Sequence, residues 1–215
     1  ATGVNGDPND QSIPQAGAVY VFTRNGDTWA QQAYLKASNT GEKGEGDLPG
    51  DGDQYGFSIA VSGDGNTVAV GAMTEDSNSS AINGNQVDNS AISAGAVYVY
   101  GRTGTSWAQQ AYVKAPTPSE FTNGDLFGYS VSLSADGATL AVGAYDEGGS
   151  ARQVNGPING MRNGSGAVHV FTRTGGTWGH QAYLKVAQAE QGDSWGISVA
   201  LSNDGNTLAT GSADE

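Results

Sequence analysis

The chain has no cysteine, and it is poor in proline, in basic residues and in long apolar runs. Its 215 residues include 0 Cys and 6 Pro. Without cysteine there can be no disulfide bond, no thiolate metal site and no thiol nucleophile. No apolar stretch approaches the roughly 20 residues with which a helix crosses a bilayer, so we expect no membrane insertion.

Positive charge is scarce. Lys and Arg number 9 against 22 Asp and Glu, which gives a formal net charge of −13. Nucleic acids and anionic membrane surfaces bind clusters of Lys and Arg, so neither is an expected partner. The acidic balance remains compatible with cations, with basic partners or simply with solubility.

What the chain has in abundance is repetition. One phrase begins at Gly17, at Gly95 and at Gly166, and its first copy reads GAVYVFTRNGDTWAQQAYLKA. A second phrase begins at Tyr55, Phe127 and Trp195, and its first copy reads YGFSIAVSGDGNTVAVGA. Such self-similarity is typical of β-propellers and solenoids.

Each repeat predicts four short strands and no helix. The run 18–22 is rich in β-branched and aromatic residues, Asn25-Gly26 marks a turn, and 29–35 is a second strand. Alternation over 57–61 predicts a third strand, and the small residues of 67–72 predict a fourth. Four-stranded units repeated around a ring are propeller blades, so we expect an all-β β-propeller fold.

These phrases resemble a known family. An aromatic-Gly pair, an alternating strand, a turn and a V-G-A strand resemble the FG-GAP repeat of integrin alpha chains and bacterial surface proteins; the matching segments are 55–72, 127–144 and 195–212. The resemblance implies one array over 1–215, with an outer half-blade at 17–37, blades at 55–115 and 127–186, and an inner half-blade at 195–213.

Three blades' worth of strands cannot close a ring, because propellers have about four to eight blades. Two explanations stay open: several copies form one ring as a homo-oligomer, or the residues belong to a longer chain. Two copies would give six blades. Residues 211–215 followed by 1–6 would also read as another copy of the long loop seen at 71–84 and 143–156.

The integrin-type repeat carries a calcium loop between its inner strands, but the equivalent turns here keep one carboxylate each, at Asp64, Asp136 and Asp204. One carboxylate cannot supply six to eight oxygen ligands, so we interpret these as plain hairpin turns. The recurrent Asp53, Asp125 and Asp193, each before an aromatic-Gly pair, are interpreted as turn-locking residues.

The long loops are the better calcium candidates. Their acidic residues and Asn side chains could build an oxygen-ligand site, although the same residue types also cap turns. The predicted metal ligands are Glu75, Asp76, Asp88, Asp146, Glu147, Asp214 and Glu215. A calcium ion there would be structural, ordering a loop of about 20 residues.

Two further residue types call for interpretation. Trp29, Trp107 and Trp178 recur at one position, where they either pack between blades or stack on a sugar ring. His169 and His180 break the repeat, yet no Ser/His/Asp grouping, metal-binding His spacing or phosphate loop accompanies them.

These observations favour a non-catalytic, secreted or cell-surface propeller that acts as an adhesion or interaction scaffold. Its loops would bind a protein or glycan ligand. The alternatives are a lectin of the same fold, an enzyme or its accessory domain with a cluster around His169 or His180, and a structural subunit of a surface assembly.

Overall fold

The computed structural model describes residues 1–40, 52–117, 124–158 and 164–214. These residues form twelve β-strands and no helix, which confirms the all-β prediction. The strands are β1 (Val19–Asn25), β2 (Thr28–Leu35), β3 (Ser58–Val61), β4 (Thr67–Ala72), β5 (Ala96–Thr103), β6 (Ser106–Val113), β7 (Phe127–Leu133), β8 (Thr139–Ala144), β9 (Ala167–Thr174), β10 (Thr177–Leu184), β11 (Ser198–Leu201) and β12 (Leu208–Gly211).

The strands form four antiparallel sheets that follow one another along the chain. The first sheet is β1-β2, the second is β3-β4-β5-β6, the third is β7-β8-β9-β10 and the fourth is β11-β12. Neighbours in each sheet are also neighbours in sequence, as short hairpins and meanders favour. Nowhere in the described ranges is there a helix with the length and apolarity that a membrane crossing requires.

The hydrophobic core lies between consecutive sheets. One cluster joins Val19 and Leu35 of the first sheet to Tyr98 and Tyr100 of the second. A second cluster joins the second and third sheets. The small residues of β4 allow this close approach: a Cβ added at Gly71 would lie 2.0 Å from the carbonyl oxygen of Gly128.

A β-bulge recurs in the second strand of each β1-β2-type hairpin. The register shifts at Val21/Phe22, at Val99/Tyr100 and at His180/Ala182, which leaves Gln32, Gln110 and Gln181 without an opposite residue. A bulge re-aims the side chain it carries. Gln32 Oε1 accepts hydrogen bonds from Trp107 Nε1 at 2.9 Å and Arg102 Nη1 at 3.3 Å, so the bulge links one sheet to the next.

Candidate functional site

The two ends of the sheets differ. In the second sheet the β3–β4 and β5–β6 connections are tight turns at one end, and the loop 73–95 leaves β4 at the other end. The third sheet repeats this plan with the loop 145–166. We call the end that carries these loops, together with the segment 1–16, the loop face.

At the opposite end the tight turns contact one another. The backbone N–H of Gly63 donates to Ala135 O at 2.9 Å, and that of Ala135 donates to Asn203 O at 2.9 Å. Asp64 Oδ1 accepts from Ser62 Oγ at 2.6 Å and from the N–H of Asn66 at 2.9 Å. These bonds lower the pKa of Asp64 to about 2 and give the carboxylate the turn-forming role that the sequence predicted.

A buried carboxylate ties the loop 73–95 to β6. Glu75 Oε2 accepts from Lys114 Nζ at 2.7 Å, and its Oε1 accepts from the hydroxyl of Tyr112 at 2.6 Å. The N–H of Ser77 and the amide of Asn39 complete the donors, both at 3.2 Å. Burial lowers the pKa of Lys114, while the Glu75 charge opposes that shift.

The third sheet repeats this arrangement. Glu147 Oε2 accepts from Lys185 Nζ at 2.7 Å, and both carboxylate oxygens accept from the hydroxyl of Tyr183 at 3.1 Å. Lys185 also donates to Ser165 Oγ at 2.7 Å and to the carbonyl oxygen of Gly166. We call each such Glu–Lys–Tyr set a loop clamp.

An asparagine docks each loop onto the same strand that carries the clamp residues. Asn83 Oδ1 accepts from the N–H of Tyr112, and Asn155 Oδ1 accepts from that of Tyr183, both at 2.9 Å. Asn5 Oδ1 makes the same bond to Tyr34 at 2.9 Å. All three asparagines have φ between 54° and 57°, a left-handed conformation that Asn tolerates better than most residues.

The first sheet carries the lysine of a loop clamp, and within the described ranges no Glu forms the ion pair with it. Lys36 occupies the position of Lys114 and is 6% exposed. Its Nζ donates to the carbonyl oxygen of Gly17, and no carboxylate of the described residues forms an ion pair with it. Burial lowers its pKa.

The remaining predicted metal ligands are spread over the loops. Asp76 Oδ1 accepts from the N–H of Ser93 at 2.7 Å. Asp88 Oδ1 accepts from the N–H groups of Asn78 and Ser90 and from Ser90 Oγ. Burial raises the pKa of Asp146, Asp214 is exposed, and Glu215 lies outside the described residues.

Glu75 and Glu147 do not fit a calcium ion, because lysine, tyrosine and backbone donors already occupy their carboxylate oxygens. Across the described parts of the chain, no three His, Asp or Glu side chains lie close enough to hold a metal ion. At these two positions the donor set is that of a buried ion pair. Calcium binding elsewhere on the chain stays a prediction.

Two of the three recurrent tryptophans are buried between sheets. Trp107 and Trp178 lie beneath the guanidinium groups of Arg102 and Arg173, with ring centroids 5.6 and 5.5 Å from the Arg carbon atoms. Neither is available to stack on a sugar. Trp29, at the same position of the first sheet, is 64% exposed.

The two histidines contact each other. His169 Nδ1 lies 3.2 Å from His180 Nε2, and the His169 ring packs on Phe127 and Tyr183. Burial lowers the pKa of His169 to about 3, and His180 and Lys185 add to the shift, so the imidazole is neutral at pH 7. His169 occupies the position of the buried Tyr98, which indicates a packing role.

The loop clamps were not predicted from the sequence. Glu75, Glu147 and Glu215 recur at one repeat position, and Lys36, Lys114 and Lys185 recur at another. Two recurrent, opposite charges in a chain with only 9 basic residues are the signal that could have paired them. Asp53 and Asp125, in contrast, are buried near the loop face, and Asp193 Oδ2 accepts from the N–H of Glu190 at 2.6 Å.

Residues 107–171, which run from β6 into β9, match the FG-GAP repeat family. No curated protein matches the chain.

Proposed function

We propose that this FG-GAP repeat protein is a non-catalytic, secreted or cell-surface β-propeller module that binds a protein ligand through its loop face. The successive antiparallel sheets would be its blades. The second and third sheets would be complete blades, and the first and fourth would be half-blades.

The observation that carries the proposal is the repeated anchoring of the loops. Each long loop is held by a loop clamp and by an asparagine, at the same end of successive sheets. A rigid scaffold that presents several loops on one side is a common design for binding. The loops expose apolar side chains: Val87 is 82% exposed and Val154 is 57% exposed.

The contacts of the histidines support a non-catalytic role. His169 is buried against aromatic rings and is kept neutral by its surroundings, so it is poorly placed to exchange protons with a substrate. The burial of Trp107 and Trp178 favours a protein ligand over a glycan held by recurrent aromatic platforms.

The test is a binding screen with the immobilised chain against extracellular glycoproteins and a glycan array. Val87→Asp and Val154→Asp should weaken binding of a protein hit at least about tenfold, because they place charge within the contact. Thr105→Asp, in the tight turn between β5 and β6 at the opposite end, is the matched control and should bind normally.

If Val87→Asp and Val154→Asp bind the protein hit as strongly as Thr105→Asp and the wild type do, the loop face is not the binding site. Binding that disappears when glycans are removed from the hit would identify a lectin instead. Chemical turnover of a bound molecule that is lost in His169→Tyr would identify an enzyme.

A further inference from the structure

Glu75 binds a side-chain amide as well as an amine. Its Oε2 accepts from Lys114 Nζ at 2.7 Å, and its Oε1 accepts from Asn39 Nδ2 at 3.2 Å. The lysine directly follows β6 and the asparagine lies shortly after β2, so the carboxylate bridges the second sheet to the first. An amine and an amide are the two reactants of an isopeptide bond, and here they lie on either side of one proton acceptor.

The hydrogen bonds of Asn39 orient its amide for such a reaction. An ionised carboxylate only accepts hydrogen bonds, so the amide nitrogen faces Glu75. The hydroxyl of Tyr98 donates to Asn39 Oδ1 at 2.5 Å. This donor polarises the carbonyl and stabilises the negative charge that develops on Oδ1 when a nucleophile attacks Cγ. The leaving group, Nδ2, faces the carboxylate that delivers a proton to it.

Burial prepares Lys114 as the nucleophile. The side chains of Lys114 and Glu75 are both closed off from solvent, and the rings of Tyr98 and Tyr112 beside them are completely buried. Burial lowers the pKa of Lys114, while the Glu75 charge opposes that shift. Transfer of one proton from the ammonium to the carboxylate turns two buried charges into two neutral groups, and the neutral amine is nucleophilic.

The loop clamp of the third sheet has the amine and the carboxylate but a different third partner. Lys185 Nζ lies 2.7 Å from Glu147 Oε2, as in the second sheet. Glu147 Oε1 accepts from the N–H of Gly149 at 2.8 Å, and none of the hydrogen bonds within the described ranges brings a side-chain amide to this carboxylate. Thr117 occupies the repeat position of Asn39. The third-sheet clamp is therefore an internal control for the second.

We propose that Lys114 and Asn39 form an intramolecular isopeptide bond, with Glu75 as the catalytic proton carrier. The lysine amine attacks Asn39 Cγ, the bond from Cγ to Nδ2 breaks, and Nδ2 leaves as ammonia. Of the two protons that the ammonium loses, one stays on Glu75 and the other departs with the ammonia. Atoms and charge balance without a further reactant, because an ammonium, a carboxylate and a primary amide become a secondary amide, a carboxylic acid and ammonia.

The step requires Lys114 Nζ to exchange one partner for another. It leaves Glu75 Oε2 and approaches Asn39 Cγ to about 3–3.5 Å, the separation of a near-attack conformer. Asn39 is half-buried, which leaves its side chain room to turn toward the amine. The bond would join the first sheet to the second covalently, and it does not depend on the ligand binding proposed above.

The test is the intact mass of the purified, folded chain. The bond releases ammonia, so the mass should lie about 17 Da below that of the sequence. Trypsin should not cleave after Lys114, and tandem mass spectrometry should find residues 39 and 114 in one branched peptide. Ammonia is also lost when an Asn-Gly pair forms a succinimide, and the branched peptide distinguishes the two products.

Asn39→Ala removes the amide and keeps the ion pair of Lys114 with Glu75, so it should fold and should have the full mass of its own sequence. Its melting temperature should be about 10 °C below that of the wild type, because no cross-link restricts the unfolded chain. Asn85→Ala makes the same change at an exposed asparagine of the loop 73–95 and should keep the mass deficit.

Two variants test the roles of Glu75 and Tyr98. Glu75→Gln retains both reactants without the proton carrier and should have its full mass, whereas Glu147→Gln, the matched change in the third sheet, should keep the deficit. Tyr98→Phe retains the ring but not the donor to Asn39 Oδ1. It should form the bond at least about a hundredfold more slowly, measured by mass at intervals after cell-free synthesis.

A folded wild-type chain that keeps the full mass of its sequence after prolonged incubation would overturn the proposal. A deficit that persists in Asn39→Ala, or that lies on an Asn-Gly pair, would overturn it as well. Because Asn39→Ala leaves the ion pair in place, this result does not depend on whether Glu75→Gln folds.

Discussion

Lys114 donates from Nζ to Glu75 Oε2 across 2.7 Å, and neither side chain is exposed to solvent. The pair joins a loop to the residue directly after β6, 39 residues further along the chain. Lys185 and Glu147 repeat it at 2.7 Å in the next sheet. These two ion pairs anchor the loops of the loop face.

Removing one partner of this pair should destabilise the fold strongly. Glu75→Gln leaves the ammonium of Lys114 buried without a counter-charge, and we expect a loss of about 3–5 kcal/mol in the free energy of unfolding. Glu190→Gln makes the same chemical change at an exposed position and should cost less than about 0.5 kcal/mol. Urea denaturation measures both.

The double variant Glu75→Gln/Lys114→Met provides the internal check. Because it removes both charges, it should be more stable than Glu75→Gln alone. A Glu75→Gln variant as stable as Glu190→Gln would show that the ion pair does not hold the loop.

The asparagine that docks the loop can be tested separately from the clamp. Asn83→Ala removes the acceptor of the Tyr112 N–H and places a Cβ-bearing residue with less αL tolerance at φ 57°. We expect a loss of about 2–3 kcal/mol, from the unsatisfied donor and the backbone strain together.

Asn83→Gly separates these two contributions, because glycine accepts the left-handed conformation without strain. It should be more stable than Asn83→Ala by about 1 kcal/mol. Asn155→Ala repeats the change in the third sheet and should have a similar effect. If Asn83→Ala unfolds at the same urea concentration as the wild type, the hydrogen bond from the Tyr112 N–H to Asn83 does not contribute to stability.

Close packing between sheets predicts opposite effects for two glycine substitutions. At Gly71 a new Cβ would lie 2.0 Å from the Gly128 carbonyl oxygen and 2.3 Å from Ser58 Oγ, so Gly71→Ala should cost about 3 kcal/mol or more. At Gly179 nothing lies within 4 Å of an added Cβ, and the other repeats carry Ala30 and Ala108 there. Gly179→Ala should stabilise by about 0.5 kcal/mol.

The melting temperatures of Gly71→Ala, Gly179→Ala and the wild type, measured by thermal unfolding, test both expectations. A Gly71→Ala variant that melts with the wild type would mean that the second and third sheets are not in contact at this position.

His169 should make the protein less stable in weak acid. Its pKa is about 3 in the folded protein and near 6.5 when unfolded, so between these values the unfolded chain binds the additional proton. Its contribution to stability is therefore present above pH 6.5 and falls as the pH drops toward 3. From pH 7 to pH 5 we expect a loss of about 2 kcal/mol from this residue.

His169→Tyr, which restores the residue of the other two repeats, should remove that part of the pH dependence. Urea titrations at pH 7 and pH 5 compare the two proteins. His180→Gln, which restores the residue of β6, is the companion variant and should keep most of the dependence. Parallel pH profiles for wild type and His169→Tyr would contradict the assignment.

The strands and turns were predictable because their signals are local. The alternation in 57–61, the β-branched run at 18–22 and the Asp64 turn each depend on a few neighbouring residues, and the structure places strands and a tight turn there. The acidic loop residues were assigned to calcium for the same reason. Their carboxylates lie close together in sequence, whereas Lys114 and Lys185, which pair with Glu75 and Glu147, lie far from them along the chain.

The sequence by itself determined the repeat, the all-β fold and the turn positions. Strand and turn preferences depend on neighbouring residues, and the same preferences recur in all three copies of the pattern. Only the tertiary structure decided the partners. It paired Glu75 with Lys114, buried Trp107 while leaving Trp29 exposed, and packed His169 against Phe127. Those outcomes depend on which sheet lies beside which. Equivalent residues in successive repeats differ because, among the described residues, β1 pairs with β2 alone, whereas β5 pairs with both β4 and β6.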